Sequence, residues 1–208
     1  MIAHGTLDSP RWVDGLDAPA GMAIHGRKLY VTDLDKVQVI DLERGVVIEA
    51  LGPYPDAKSF NDIAVDDGGT VYVSDSARHK IIKIKDGKSQ PYPDDAANFK
   101  FANGLHIKGT QLYVGGEKLW GIALGTGEIR EMKIEGLADI DGIETDGQDG
   151  LTVSVVGGDV WHIPVDKAPV IWTAPGLSST NHAYLPKLNL VLVPTGYDNT
   201  VIAFQVSH

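Results

Sequence analysis

The stretch Phe60-Asn61-Asp62-Ile63-Ala64-Val65-Asp66 contains the phrase that decides the fold, because related phrases recur along the whole chain. They read Ala20-Gly21-Met22, Asn61-Asp62-Ile63, Asn103-Gly104-Leu105, Asp141-Gly142-Ile143 and Asn181-His182-Ala183. Their first residues are 38 to 42 positions apart. A period of about 40 residues is typical of a β-propeller with four strands in each blade. The chain is therefore expected to be all-β and to form a propeller.

Each repeat has the same order of segments, which the second repeat illustrates. An apolar strand begins in the phrase, and a polar turn, Asp66-Asp67-Gly68-Gly69, follows it. Two further apolar strands, Val71-Tyr72-Val73 and Ile81-Ile82-Lys83-Ile84, come next, and Ser89-Gln90-Pro91-Tyr92 is a more polar fourth strand. Gly, Asp and Asn supply the backbone angles of such turns, and β-branched or aromatic residues favour buried strands.

The two ends of the chain predict how the ring closes. The last repeat ends at His208 after three strands, and one strand is left over around Pro10-Arg11-Trp12-Val13. If that strand completes the last blade, residues 1–208 form a single domain of five blades, and two open sheet edges are covered. The alternative is an incomplete six-bladed ring, whose open edge favours a dimer, whereas the closed ring favours a monomer.

Composition restricts the possible functions. The chain has no cysteine, so disulfides, thiolate metal sites and thiol nucleophiles are excluded. A net charge of −10 argues against nucleic acid as a partner, and no apolar run is long enough to span a membrane. The start, Met1-Ile2-Ala3-His4-Gly5, has no signal-peptide pattern, which predicts a soluble cytoplasmic protein. Export of a processed chain is also compatible with this start.

The first position of the phrase carries side-chain oxygens in four of the five repeats, at Asn61, Asn103, Asp141 and Asn181. In equivalent blades these side chains would form a ring at one mouth of the central channel. Oxygen donors suit a hard divalent cation, Ca²⁺ first and Mg²⁺ or Mn²⁺ next. Zn²⁺ fits less well, although His182 could supply one nitrogen. The alternative is that these residues only form turns before strands.

Two other positions of the phrase carry polar groups. The second position reads Gly, Asp62, Gly, Gly and His182, which makes Asp62 a candidate substrate contact and His182 a candidate general base. A loop histidine with a backbone partner is the alternative for His182. The fourth position holds His106 and Glu144, where other repeats have Ala23, Ala64 and Tyr184. These two are expected to serve blade packing, with a polar partner for each.

The pattern resembles the gluconolactonase-like family, which includes senescence marker protein. The residues that carry this resemblance are Phe60 to Asp66, Ala102-Asn103-Gly104-Leu105, Ile140-Asp141-Gly142-Ile143, Val73-Ser74-Asp75 and Leu192-Val193-Pro194-Thr195. The resemblance implies a six-bladed propeller with one divalent metal at the channel mouth. It also implies metal ligands at Asn103 and Asp141, with Asp141 as a candidate base, and a substrate contact at Asn61. The family's third ligand, a Glu in the first blade, has no counterpart, because Ala20 stands at the equivalent position.

Two functions follow from these patterns. The first is a metal-binding propeller that hydrolyses a small lactone or ester, in which Asn181 or His182 replaces the missing Glu. The second is a non-catalytic propeller that binds a ligand or a partner protein. For the second function, the candidate exposed contacts are Tyr54, Tyr92, Trp172 and Tyr197, and the alternative for these residues is that they cap blade edges.

Overall fold

The computed structural model describes the backbone of residues 2–3 and 6–7, and residues 11–172, 180–195 and 200–206 in full. It is a five-bladed, all-β propeller, as the repeat period predicts. Blade 1 has β3 (Pro19–His25), β4 (Lys28–Asp33), β5 (Lys36–Asp41) and β6 (Val46–Leu51). Before it, β1 (Ile2–Ala3) and β2 (Thr6–Leu7) form a separate two-stranded pair.

The other blades follow in chain order. Blade 2 has β7 (Phe60–Val65), β8 (Val71–Asp75), β9 (Lys80–Lys85) and β10 (Lys88–Tyr92); blade 3 has β11 (Leu105–Lys108), β12 (Gln111–Val114), β13 (Trp120–Ala123) and β14 (Ile129–Glu131). Blade 4 has β15 (Ile140–Thr145), β16 (Leu151–Val155), β17 (Val160–Ile163) and β18 (Val170–Ile171), and blade 5 has β19 (Ala183–Leu185), β20 (Leu190–Thr195) and β21 (Thr200–Gln205). A 3₁₀ turn, Pro186–Leu188, joins β19 to β20. All neighbouring strands are antiparallel, and the inner strands β3, β7, β11 and β15 lie side by side.

Apolar layers between consecutive blades form the core. Tyr30 and Val39 of blade 1 pack with Ile63 and Val73 of blade 2, and similar layers join the later blades. The period-2 alternation of strands explains this arrangement, since one face of each sheet meets the preceding blade and the other meets the following blade. On the inner strands, the third position of the phrase therefore faces back along the chain and the fourth faces forward.

The expected closure of the last blade by Pro10-Arg11-Trp12-Val13 is wrong in the part that is described; Pro10 lies outside the described residues. Residues 11–18 contain no strand, and the described part of blade 5 has three strands. Val13 instead packs against Leu29, Val31 and Ile40 of blade 1. The apolar outer face of the first blade needs a cover, and the N-terminal segment supplies it.

The cover is partial. Met22 and Ile24, on the same face of blade 1, are 64% and 65% exposed, whereas Ile63 and Ile143 are 2% and 3% exposed at the position of Met22 in later blades. The face of β3 that a preceding blade would bury therefore remains open to solvent. Among the described residues, no helix has the length and apolar character needed to cross a membrane.

The fifth phrase is shifted relative to the others. In blades 2, 3 and 4 the third position, Ile63, Leu105 or Ile143, packs toward the preceding blade. In blade 5 the fourth position does so instead, because Tyr184 packs against Val160 and Trp172 of blade 4. The equivalence of Tyr184 with His106 and Glu144 that the sequence suggests is therefore wrong.

Candidate functional site at the channel mouth

Glycine at the second position of the phrase lets neighbouring blades approach closely. A Cβ atom on Gly21 would collide with Asp62, one on Gly104 with the backbone of Asp141, and one on Gly142 with Asn181 and His182. Each glycine thus leaves room for a polar residue of the next blade. The absent side chains allow the chemistry-bearing residues of blades 2 to 5 to gather near the axis.

Hydroxyl groups on the second strands fix this approach. Thr32 Oγ1 accepts a hydrogen bond from the Gly21 N–H at 2.9 Å and donates to the Asn61 carbonyl of the next blade at 2.5 Å. Ser154 does the same in blade 4, where it accepts from the Gly142 N–H and donates to the Thr180 carbonyl. The start of β7 is therefore held from blade 1 by Thr32 and from its own blade by Ser74, which accepts the Asp62 N–H at 2.9 Å.

Asn103 and Asp141 come together, as the ring of oxygens predicts. The Asn103 side chain hydrogen-bonds the Asp141 carboxyl, and this bond opposes the effect of burial, which raises the pKa of Asp141 to about 6. The Asn103 Oδ1 atom is buried and has no hydrogen-bond partner among the described residues. An orphaned carbonyl oxygen beside a desolvated carboxyl is costly unless a ligand completes it.

Asp62 lies next to this pair and is 8% exposed. Its Oδ2 accepts a hydrogen bond from the Leu105 N–H of blade 3 at 2.7 Å. Burial raises the pKa of Asp62 to about 7, and the charge of Asp141 adds to that rise, while hydrogen bonds from the Leu105 and Ile63 N–H groups oppose it. Asp62 therefore belongs to the same electrostatic cluster as Asp141.

The remaining sequence candidates are engaged in different ways. Asn61 donates from Nδ2 to Ser76 Oγ at 3.1 Å. Asn181 is exposed, and its Oδ1 accepts the His182 N–H at 2.7 Å, so that oxygen has a local partner. His182 is 5% exposed, with Nε2 2.7 Å from Thr152 Oγ1 and Nδ1 buried without a partner among the described residues. Burial and the nearby His106 lower the pKa of His182 to about 4, which keeps its imidazole neutral.

His106 and Glu144 are the pair that sequence reasoning assigned to packing. They extend from adjacent inner strands, and Nδ1 of His106 lies 3.6 Å from Oε2 of Glu144. Their side chains are 21% and 39% exposed, so solvent reaches both. Burial and Lys108 lower the pKa of His106 to about 4, whereas burial and the charge of Asp62 raise the pKa of Glu144 to about 7. The signal in the sequence was two polar residues at a position that is alanine in blades 1 and 2.

The cluster of Asp62, His106, Asp141, Glu144 and His182 combines opposite pKa shifts in a small volume. Among the described residues, none of its three carboxyls forms an ion pair with lysine or arginine. In the same part of the chain, no three or more His, Asp or Glu side chains converge in a metal-binding geometry. A cation at this mouth would therefore depend on amide oxygens and water as well as on carboxylates. Such a cluster is suited to proton transfer and to binding a polar ligand.

A second His–Asp pair in blade 4 has a structural explanation. His162 Nε2 lies 3.0 Å from Asp146 Oδ2, and the imidazole stacks on Trp172. Asp146 Oδ1 also accepts the N–H groups of Gln148 and Gly150, which closes the turn between β15 and β16. Although burial acts to raise the pKa of Asp146, the bond from His162 and these N–H groups lower it.

The aromatic residues expected to be exposed contacts are mostly covered. Tyr92 is buried, Tyr54 and Trp172 are half-buried, and Tyr197 lies outside the described residues.

The fold and this mouth define the chain as a β-propeller with a titratable cluster near its axis. No family model and no curated protein matches the sequence. The gluconolactonase-like family is therefore not identified by the comparisons, which support the propeller fold alone.

Solved propellers do match. Virginiamycin B lyase from Staphylococcus aureus is 16% identical with a TM-score of 0.63, and the match covers 91% of this chain and 70% of that one. A second match is a variant of that lyase described as catalytically inactive, with a histidine changed to alanine and quinupristin bound. It is 15% identical with a TM-score of 0.62, and the match covers 91% of this chain and 70% of that one. A chain of the nidogen/laminin complex is 15% identical with a TM-score of 0.77, and the match covers 90% of this chain and 75% of that one. Identities this low establish the fold and nothing finer.

Proposed function

We propose that this propeller binds a divalent cation at the channel mouth and hydrolyses a small lactone or ester there. The observation that carries the proposal is the buried, unpartnered Oδ1 of Asn103 beside the desolvated carboxyl of Asp141. Two structural neighbours are named as lyases, which favours an enzymatic activity for this chain. The resemblance to gluconolactonase-like sequences points to a lactone or ester as substrate.

The residues present fit a hard cation in part. Asn103 and Asp141 offer a free carbonyl oxygen and a carboxylate, and Ca²⁺ accepts both types. Asn181 contributes little unless its bond to the His182 N–H breaks, while the free Nδ1 of His182 is a nitrogen donor that Zn²⁺ or Mn²⁺ would accept. A bound cation would polarise the carbonyl of the substrate and acidify a neighbouring water.

The side chains have separate roles in this proposal. Asp141 takes the proton of the attacking water, since its carboxyl is desolvated and close to neutrality in pKa. Asn61 and Asp62, at the start of the inner strand β7 of blade 2, orient the substrate. His182, neutral and held by Thr152, supports the mouth from blade 5.

The decisive experiment is calorimetric titration of EDTA-treated protein with Ca²⁺, Mn²⁺ and Zn²⁺. We expect one site, and we expect Asp141→Ala to abolish binding at about 1 mM metal because the only carboxylate ligand is lost. Asn103→Ala should weaken binding, and Glu135→Ala, an exposed acidic residue, is the matched control. Equal binding by the parent and Asp141→Ala would contradict the site assignment. Hydrolysis of δ-valerolactone by the metal-loaded protein, followed by titration of the released acid, tests the activity.

A second function, a propeller that binds a partner protein without catalysis, has one observation in its favour. Of the neighbours described above, the chain from the nidogen/laminin complex, an assembly of two proteins, has the highest TM-score. This alternative expects the fold to survive EDTA and no turnover of a lactone and ester panel. Hydrolysis that is lost in Asp141→Asn would exclude it.

A further inference from the structure

The residues along β15 place two carboxyl groups at different depths of the mouth. Asp141 and Glu144 are three positions apart, which corresponds to roughly 10 Å of strand. Both side chains extend from the same inner strand, Asp141 near its start and Glu144 near its end.

The Glu144 end differs from the Asp141 end in its partner. Glu144 meets the imidazole of His106 across the boundary between blades 4 and 3, at 3.6 Å. This distance is longer than a hydrogen bond, and such bonds in ligand-free sites commonly shorten when substrate binds. With 39% of the Glu144 side chain exposed, an incoming ligand reaches it more readily than Asp62 and His182, which are 8% and 5% exposed.

Packing does not require this pair. Blades 1 and 2 have Ala23 and Ala64 at the fourth position, and Ala64 fits within a buried layer there. An imidazole and a carboxyl at this position, in place of two alanine side chains, cost desolvation energy when they are partly buried. A pair that is costly, accessible and unnecessary for the fold is a candidate for function.

We infer that Glu144 is the general acid for the leaving oxygen, and that His106 is a positioning residue that holds the Glu144 carboxyl toward the substrate. This inference rests on the proposed hydrolysis. The water oxygen bonds to the carbonyl carbon while its proton passes to Asp141. The bond from that carbon to the ring oxygen breaks, and the ring oxygen takes the proton of Glu144. The product is a hydroxy acid, and solvent returns a proton to Glu144 and removes one from Asp141.

The electrostatic surroundings agree with this role. Asp62 of blade 2 raises the pKa of Glu144, while Lys108 on β11 and His182 of blade 5 are the charged or titratable groups near His106. A carboxyl with a pKa of about 7 is about half protonated at neutral pH, so a proton is available for transfer there.

The test compares two substrates that need different help from an acid. δ-Valerolactone expels an alkoxide, and p-nitrophenyl acetate expels a stable phenolate that needs no protonation. We expect Glu144→Gln to lower kcat on δ-valerolactone at least about 100-fold and on p-nitrophenyl acetate less than about 10-fold. His106→Gln should also lower kcat on δ-valerolactone more than on p-nitrophenyl acetate, but by a smaller factor. Both variants should lose or shift the fall in rate above about pH 7 that deprotonation of Glu144 causes in the parent.

Controls separate this inference from the proposed function. Glu135→Gln should match the parent, and Glu144→Asp should recover part of the δ-valerolactone rate. Ca²⁺ titration and near-UV circular dichroism show whether Glu144→Gln keeps the metal site and the fold. Equal loss on both substrates, or no loss on either, overturns the role of Glu144 and leaves the proposed function intact. A metal-loaded parent that hydrolyses neither substrate overturns the activity, and the role of Glu144 with it.

Discussion

Buried carboxylates occur in two regions of this propeller and behave in opposite ways. Asp33 and Asp75 end the second strands of blades 1 and 2 and are both 0% exposed. Asp33 accepts the N–H groups of Asp17 and Ala18 at 3.0 and 2.7 Å, and Asp75 accepts those of Lys58 and Ser59 at 2.8 and 3.3 Å. They anchor the loops that enter each blade.

The carboxyls at the channel mouth differ from Asp33 in the balance between burial and hydrogen bonding. Burial alone would raise the pKa of Asp33, but its backbone hydrogen bonds, Gln38 and Lys36 lower that pKa overall. Burial dominates at Asp62, Asp141 and Glu144 and raises their pKa values, although Asp62 also accepts two backbone N–H groups. The comparison teaches that a carboxylate is structural where hydrogen bonds and a nearby cation together outweigh burial, and is available for chemistry where burial outweighs them.

The largest expected change in stability comes from removing a structural carboxylate. Asp33→Ala should lower the free energy of unfolding by about 3 kcal/mol, because it leaves two backbone N–H groups without their acceptor. Urea unfolding measures the change, and Asp33→Asn, which keeps one acceptor oxygen, should cost about half as much. Because the folded pKa of Asp33 is lowered, its contribution is present above about pH 4 and disappears as the pH falls through the folded pKa. A loss below 1 kcal/mol would show that the loop of residues 17–18 needs no anchor.

An intermediate effect of opposite sign is expected in the channel. The raised folded pKa of Asp62 means that its stabilising, protonated form is fully present below about pH 4 and is lost as the pH rises through about 7. In EDTA, Asp62→Asn should therefore be about 2 kcal/mol more stable than the parent at pH 8, and the two should be nearly equal at pH 4. Urea unfolding at the two pH values decides the matter. A variant that is less stable than the parent at pH 8 would place Asp62 with Asp33 among the structural carboxylates.

The smallest effect supplies a surface reference for both regions. Lys100 and Glu117 form an ion pair at 2.5 Å, but their side chains are 53% and 42% exposed. We expect Lys100→Ala to change the free energy of unfolding by less than about 0.5 kcal/mol, since exposed pairs are screened by solvent. Thermal unfolding at low and high salt checks this. A change in the free energy of unfolding above 1 kcal/mol would mean that solvent does not screen this exposed ion pair.

The local part of the fold could be predicted from the sequence. Apolar alternation and Gly/Asp turns depend on neighbouring residues, so segments such as Val71-Tyr72-Val73 and the 40-residue period were readable, and so was the meeting of Asn103 with Asp141. The packing of Val13 against blade 1 was not predictable, because it depends on which face of blade 1 lacks a cover. The orientation of Tyr184 was not predictable either, because the spacing of the phrase does not show which face of β19 packs against blade 4.

The meeting of His106 with Glu144 shows the same limit within the candidate site. The sequence placed both at one position of the repeat, but the repeat pattern does not show that their side chains approach to 3.6 Å across adjacent inner strands. Likewise, the free Oδ1 of Asn103 is visible only when every possible donor around it has a position. Sequence patterns located the mouth, and three-dimensional packing decided which of its groups are satisfied.

The glycines of the second position carry a consequence for how such a chain can evolve. Across successive blades, each of these glycines packs closely against one residue of the next blade. The pairs are Gly21 with Asp62, Gly104 with Asp141, and Gly142 with His182. A lineage that gains a side chain at one of these glycines must shrink or move its partner in the same step or shortly afterwards. Substitutions at the mouth should therefore be inherited as pairs about 40 residues apart, and the spacing of the repeat should be visible in the history of its mutations.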